Sequence, residues 1–194
     1  MYNHKGFSLL ELLLSMSIGL IAIGIVGSLF LHGNKLAAER SKQLMLVQDM
    51  NDALRMLKED VLRAGYNEGK GSSFIVSGAS KIVTLSPSSG TATCLTYGFH
   101  DGSKDYFRSY YIENNKLKIY STSASGATLA NGCSGGSSML DENQLKVDVF
   151  EVVETPLLTT NVTSQLLNIK LKISTVDDAK NMTKDVDVKI RNWQ

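Results

Sequence analysis

Glu11 is the side chain with the most chemistry to account for. It stands at the edge of an uncharged apolar run, Leu12 to Leu31, inside a segment that otherwise suits the hydrocarbon of a membrane. A carboxylate there costs on the order of 2.5–3.5 kcal/mol even on mild insertion scales, so it calls for an opposite charge. Phe7 lies four residues earlier, just after a short polar stretch ending in Lys5-Gly6. A spacing of four puts residues on one helical face. The chemistry on offer is ion pairing in a low dielectric, not turnover. His4, His32 and His100 have no cysteine or acid partner by motif, and the chain carries no GxSxG, P-loop or HExxH. Asp177-Asp178 reads as a turn without the further oxygen ligands that calcium needs. We therefore expect no enzyme, no cofactor and no metal site.

The element that must position Glu11 is the apolar run itself. About 20 uncharged residues suffice to cross a ~30 Å hydrocarbon core as a helix. A cleaved secretory signal fits poorly, because the leader has one Lys and no small-x-small site directly follows Leu31. A plain single-pass anchor explains the length but not Glu11. Gly19, Gly24 and Gly27 weaken a helix by roughly 1 kcal/mol each, yet in a membrane they also permit close helix packing. They leave open local loosening or close approach. Lys5 lies at one end and His32, Lys35 and Arg40 at the other, so the positive-inside count is weak.

The bulk composition limits the rest. With 194 residues and a net charge of +1, one domain plus an accessory segment is expected, and a strongly electrostatic nucleic-acid binder is disfavoured. The two cysteines, Cys94 and Cys133, follow an export segment and therefore enter a compartment where disulfides persist. A bond between them is expected, against the alternative of two buried thiols. It would close a loop of about 40 residues, worth roughly 4 kcal/mol on the chain-entropy account.

The order Lys5-Gly6-Phe7-Ser8-Leu9-Leu10-Glu11 followed by the apolar run resembles the processing signal of type IV pilins and pseudopilins. The resemblance covers residues 1–31. It implies that a prepilin peptidase cuts between Gly6 and Phe7 and N-methylates Phe7. It further implies that Glu11 meets the positive N-terminus of a neighbouring subunit in a filament. An N-terminus on the cytoplasmic side follows from the same resemblance. Pairing in low dielectric is strong, and removing one partner strands the other.

Residues 32–64 carry no Pro and no Gly after Gly33. Leu44, Val47, Met50, Leu54, Leu57 and Val61 recur at three- and four-residue spacings, the stripe of an amphipathic helix. Packing on a sheet is favoured over a coiled-coil seam, and Gly65 supplies a C-terminal stop. The helix end Glu59-Asp60-Val61-Leu62-Arg63-Ala64-Gly65-Tyr66 resembles that of PilW/PpdB-like minor pilins, with Arg63, Ala64, Gly65 and Tyr66 carrying the motif.

Beyond it, strands are expected at 73–77, 81–86, 94–100, 105–113, 116–122, 144–154, 165–175 and 183–191, with Asn114-Asn115 as a two-residue hairpin turn. The hairpin from Tyr111 to Leu117 also resembles one in PilW-type domains. The tyrosines at 106, 110 and 111 read as core. Lys170, Lys172, Lys184, Lys189 and Arg191 read as a wet sheet face, diluted by Asp185 and Asp187, with DNA contact the lesser reading.

The expected fold is α+β and pilin-like. It comprises a leader (1–6), a membrane and filament-core helix (7–31), an amphipathic helix (32–65) and a β-rich domain (66–194) with an antiparallel sheet. The resemblance implies a minor pilin of the inner membrane, with its globular part in the periplasm. It would be assembled with other minor pilins, the major pilin and the pilus assembly machinery into a complex that primes the filament from its tip. The alternatives are a J-type minor pseudopilin of type II secretion, or a tip module that binds DNA or a surface through loop 121–138.

Overall fold

The computed structural model describes residues 8–123, 132–158, 160 and 162–193. Gly6 and Phe7, and residues 124–131 of the loop named above, lie outside the described residues. Among the described residues, one α-helix, α1 (Leu9–Val61), is followed by eight strands: β1 (Val83–Ser86), β2 (Cys94–His100), β3 (Asp105–Glu113), β4 (Lys116–Thr122), β5 (Ser137–Ser138), β6 (Leu145–Leu158), β7 (Thr163–Thr175) and β8 (Asn181–Lys189). The chain divides into two compact units, residues 1–44 and 45–194.

In the first unit the helix is unbroken through Gly19, Gly24 and Gly27. A side chain built at any of the three would meet nothing within 4 Å. The apolar span is bare, from Leu9 at 76 % exposure to Leu31 at 69 %. Its polar side chains are satisfied locally. Ser15 and Ser17 donate to the carbonyls of Glu11 and Leu13, at 2.6 and 2.8 Å, and His32 Nδ1 lies 2.8 Å from the Ser28 carbonyl.

The second unit begins where the helix finds a partner. Leu46, Met50, Ala53, Leu54, Leu57 and Val61 are buried. Four residues of the expected stripe are thus buried, while at its start Leu44 is exposed and Val47 is only partly covered. The reason is that cover starts at Met45, so the register of burial is set by the sheet and not by the first leucine in the periodic run.

The expected antiparallel sheet is two sheets. One is a five-stranded meander in the order β1-β2-β3-β4-β5, and the other a three-stranded meander in the order β6-β7-β8. An antiparallel bridge between Ala92 and Val152 links β6 to the stretch before β2. Val147 N donates to the Asn115 carbonyl at 2.7 Å, which ties β6 to the β3–β4 turn. That turn has both central residues at positive φ, Asn114 at 51° and Asn115 at 59°, the geometry that matches the twist of a hairpin. The inner faces of both sheets join one core with the helix: Leu95, Tyr97, Tyr110 and Leu117 from the first, and Phe150, Leu167, Ile169 and Leu171 from the second.

β2 is buried on both faces. Its far face is covered by a strap that the Cys94–Cys133 disulfide ties down. Gly132 sits so close to Thr96 and Phe107 that a Cβ would approach them to 2.6 and 2.9 Å. Ser109 donates to the Gly132 carbonyl, and Gly136 N donates to the Tyr111 hydroxyl at 2.6 Å. Phe107, Ser109 and Tyr111 are buried under this cover. Gly98 leaves room for Phe74, which a Cβ there would meet at 2.5 Å.

Two further expectations are corrected, and one strand is new. Residues 73–77 do not form a strand; Phe74 N instead donates to the Gly65 carbonyl at 2.9 Å, holding the segment against the helix end. The short strand β5 was not expected, and two residues are too few to leave a pattern. Lys184 is not on the wet face. It pairs in register with Leu171, on the covered side, and its Nζ reaches Asn51 of α1 at 2.6 Å.

The disulfide closes a separation of 39 residues. Cys133→Ser is expected to lower stability by about 2–4 kcal/mol. Denaturant titration of the full chain in detergent checks this, and reductant should reproduce the loss in the native chain but add nothing in the variant.

Candidate functional site

Two groups of residues carry charge where an apolar environment makes it consequential. The first is the start of α1. Ser8 precedes the helix, its carbonyl accepts the first helical bond from Leu12 N at 3.2 Å, and Glu11 Oε2 accepts from Ser8 N at 3.3 Å. This is one arm of a capping box, S-x-x-E, in which the third helical residue reaches back to the cap. The acid also complements the positive end of the helix dipole. Ser8 is a residue that the sequence reading passed over, although its signal was present as Ser8-Leu9-Leu10-Glu11. The exposed helix around Glu11 offers no cation. Among the described residues the carboxylate has a single weak donor, which leaves most of its bonding capacity open.

The second group is the end of α1 and is closed. Asp60 Oδ2 accepts hydrogen bonds from Tyr97 of β2 at 2.6 Å and Tyr110 of β3 at 2.8 Å. Two guanidinium groups flank the same carboxylate, Arg63 Nε at 3.8 Å and Arg108 Nε at 3.8 Å. Arg63 also lies over the Phe99 ring, 5.7 Å from its centroid, a cation–π contact. These residues border an open cleft of about 570 Å³ with Asp52, Arg55 and Glu59. Arg108 Nε is buried without a hydrogen-bond partner; at 3.8 Å its contact with Asp60 is electrostatic only. Burial foremost, then the nearby Tyr110 and Asp60, raises the Tyr97 phenol well above its usual range. Burial and then Asp60 raise that of Tyr110.

The motif residues around Asp60 are structural. The last turn tightens to three-residue bonds, Arg63 N to Asp60 O and Ala64 N to Val61 O, both at 3.0 Å. Gly65 then turns at φ +76°, and a Cβ there would come within 2.7 Å of Ile82. Its N–H donates to the Gly98 carbonyl at 2.9 Å, and His100 N donates to the Tyr66 carbonyl at 2.8 Å. Asn192 donates to the carbonyl of buried Ala64 at 2.7 Å. The sequence Arg63-Ala64-Gly65-Tyr66 is therefore the joint that sews the helix end onto β2. The partners Tyr97, Tyr110 and Arg108 left no local signal, because they are distant in sequence and meet Asp60 only when β2 and β3 pair.

The remaining candidates have ordinary roles. Lys170 pairs with Glu151 at 3.5 Å and Lys172 with Asp148 at 3.8 Å, so the outer face of the second sheet spends these cations on its own acids. Asp178 pairs with Lys146 at 2.6 Å. Tyr106 stacks on Phe99 with centroids 4.9 Å apart, while Tyr110 and Tyr111 are core. Among the described residues no group of three or more His, Cys, Asp or Glu could hold a metal ion.

Asp60→Ala is expected to destabilise the chain by about 2–3 kcal/mol, since it removes the acceptor of two buried hydroxyls and the counter-charge of Arg108. Equilibrium unfolding checks it. The raised phenols fix the sign of an alkaline effect. The unfolded chain releases these protons near pH 10 while the folded chain holds them, so their contribution is full below about pH 10 and is lost as pH rises beyond it. The Tyr97→Phe/Tyr110→Phe double variant should flatten that alkaline slope in stability measured from pH 8 to 11.

Comparison with known families places these features. The family described as Prepilin peptidase-dependent protein B matches residues 39–192, and the Prokaryotic N-terminal methylation motif matches residues 1–27. Neither a curated protein nor a solved structure matches the chain. The matched families are structural components of pilin type, not enzymes. The first match spans well over half of the chain, from the juxtamembrane part of α1 through Asn192, and the second spans the signal with Glu11: the chain belongs to the prepilin peptidase-dependent protein B family and is a type IV pilin-like minor pilin.

Proposed function

We propose that the chain is inserted in the inner membrane with its N-terminus in the cytoplasm, is cut by prepilin peptidase between Gly6 and Phe7, and is N-methylated at Phe7. It then joins other minor pilins in a complex that primes assembly of a type IV pilus and sits at the filament tip, in contact with the major pilin and driven by the assembly machinery. The observation that carries this reading is a helix whose apolar span, Leu9 to Leu31, is exposed and bears one acid, Glu11, held among the described residues by a single weak donor.

The physics is a change of cover. In the membrane, lipid covers the span. In a filament, other helices do, and Gly19, Gly24 and Gly27 offer positions where a neighbouring backbone can come close. The Phe7 amine, released by cleavage, gives Glu11 a full counter-charge from a neighbouring subunit. That contact is stronger in low dielectric than a single backbone donor. An uncut leader withholds the amine, so processing must precede incorporation.

The joint at Arg63-Ala64-Gly65-Tyr66, built into β2, favours this reading over a J-type pseudopilin of type II secretion. The pseudopilin reading expects filaments intact and exoprotein retained on deletion. A tip module for DNA or a surface can coexist with the priming role.

Mass spectrometry of the mature chain is expected to find Phe7 as a methylated N-terminus, and Gly6→Ala should leave an unshifted, unprocessed band on a gel. Glu11→Ala should be processed normally yet be depleted from sheared filaments at least several-fold. Full incorporation of that variant would remove the charge-pairing account. Deletion is expected to reduce filament counts by electron microscopy.

A further inference from the structure

We propose that the helix segment just beyond the apolar span is a binding site for anionic phospholipid headgroups, with Lys35 and Arg40 as its contact residues. The inference deepens the membrane-spanning reading and rests on it. Residues 32–44 form a continuous helical stretch with every residue exposed. It contains three cations, Lys35, Arg40 and Lys42, against the single acid Glu39. Arg55 and Arg63 farther along the same helix are paired with Asp52 and Asp60. Lys35 and Arg40, in contrast, have no ion pair or side-chain hydrogen bond among the described residues.

Their placement matches the headgroup layer. The span ends at Leu31, and at 1.5 Å per residue Lys35 lies about 6 Å beyond it and Arg40 about 13–14 Å. The polar layer on each side of the hydrocarbon is roughly 5–7 Å thick. Lys35 therefore lies within it, and Arg40 lies within one Debye length, ~8 Å, of its outer edge. Both have long stems that bend back toward an interface while keeping the charge in water. On a helix at 100° per residue, Lys35 and Arg40 stand about 140° apart, so the pair draws headgroups from different sides of the helix. The charge argues for one occupant, a lipid phosphate in the leaflet at the Leu31 end.

The consequence concerns departure from the membrane. A subunit pulled into a filament exchanges lipid for protein along its span, and it also gives up these headgroup contacts. The basic segment would therefore hold the unassembled chain in an anionic bilayer and make its withdrawal depend on lipid composition.

The test uses the full chain reconstituted in phosphatidylcholine vesicles containing a trace of spin-labelled lipid. The motionally restricted fraction is compared for labelled phosphatidylglycerol and phosphatidylcholine. The native chain is expected to favour phosphatidylglycerol, and Lys35→Gln/Arg40→Gln should lower that preference by roughly tenfold at low salt. Lys58→Gln/Arg191→Gln removes the same net charge elsewhere and should leave the preference unchanged. An equal fall in both variants, or no fall in the first, overturns the site. Loss of the preference on adding millimolar inorganic phosphate, at matched ionic strength, would assign the residues to free phosphate and overturn the lipid assignment. Alkaline carbonate extraction separates the two levels: release of the native chain would remove the spanning reading itself, whereas a retained chain without lipid preference would overturn this inference alone.

Discussion

A helix that its own chain leaves bare has to be covered by something else. From Leu9 to Leu31 the apolar side chains of α1 stand more than half exposed, apart from the glycines and small residues between them. At roughly 25 cal/mol per Å² of apolar surface, a stretch of this kind cannot remain in water. The constraint acts in order. It first selects a bilayer, because about 20 residues match a hydrocarbon core. It then requires that any later home be as apolar as the first, which a bundle of like helices provides. Burial on α1 begins only near Met45, within the second unit.

The globular unit has a packed core of its own. Asp60 is placed at the helix end where two tyrosines and two arginines from separate elements converge on one carboxylate. A part-buried acid in such a setting ties the end of the helix to β2 and β3, because moving it away would leave two buried hydroxyls without their acceptor. Gly65 does the same for the backbone, since its positive φ and its closeness to Ile82 allow no side chain there. The disulfide strap finishes the far side of β2. Together these devices hold the end of α1, β2 and β3 to one another.

Legibility in the sequence followed the range of the interactions. Strands β2, β3 and β4 stand at the expected residues because their signals are local: alternation, aromatic content and the Asn114-Asn115 turn. The Cys94–Cys133 bond followed from the compartment that the span implies. The burial register of α1 did not follow, since Leu44 and Leu46 look alike until the sheet decides which is covered. Lys184 was misplaced by treating a run of cations as one face, although a period of two puts it beside Val186 and Val188. The split into two sheets and the convergence on Asp60 depend on contacts across 37 to 50 residues, which no local pattern encodes. Ser8 is legible as a capping-box serine, because its spacing to Glu11 is local.

The contrast between the two acids explains how one chain can be both a finished fold and an unfinished part. Asp60 Oδ2 accepts from two tyrosine hydroxyls of its own chain, both within 2.8 Å, so it contributes to stability. Glu11 has one donor at 3.3 Å, enough to shield a carboxylate at a helix start but far short of its capacity of about four acceptor sites. A subunit that satisfied Glu11 fully would gain nothing by meeting a neighbour, and one that left it wholly bare would meet the full cost of a charge in lipid. Partial capping by Ser8 sits between these limits. On the proposed reading, this weak capping would make the unassembled state tolerable and leave an ammonium on another chain able to displace it. The same reasoning separates the arginines of the cleft near Asp60 from Lys35 and Arg40: charges paired within the chain hold the fold, and those left unpaired mark where the molecule meets its surroundings.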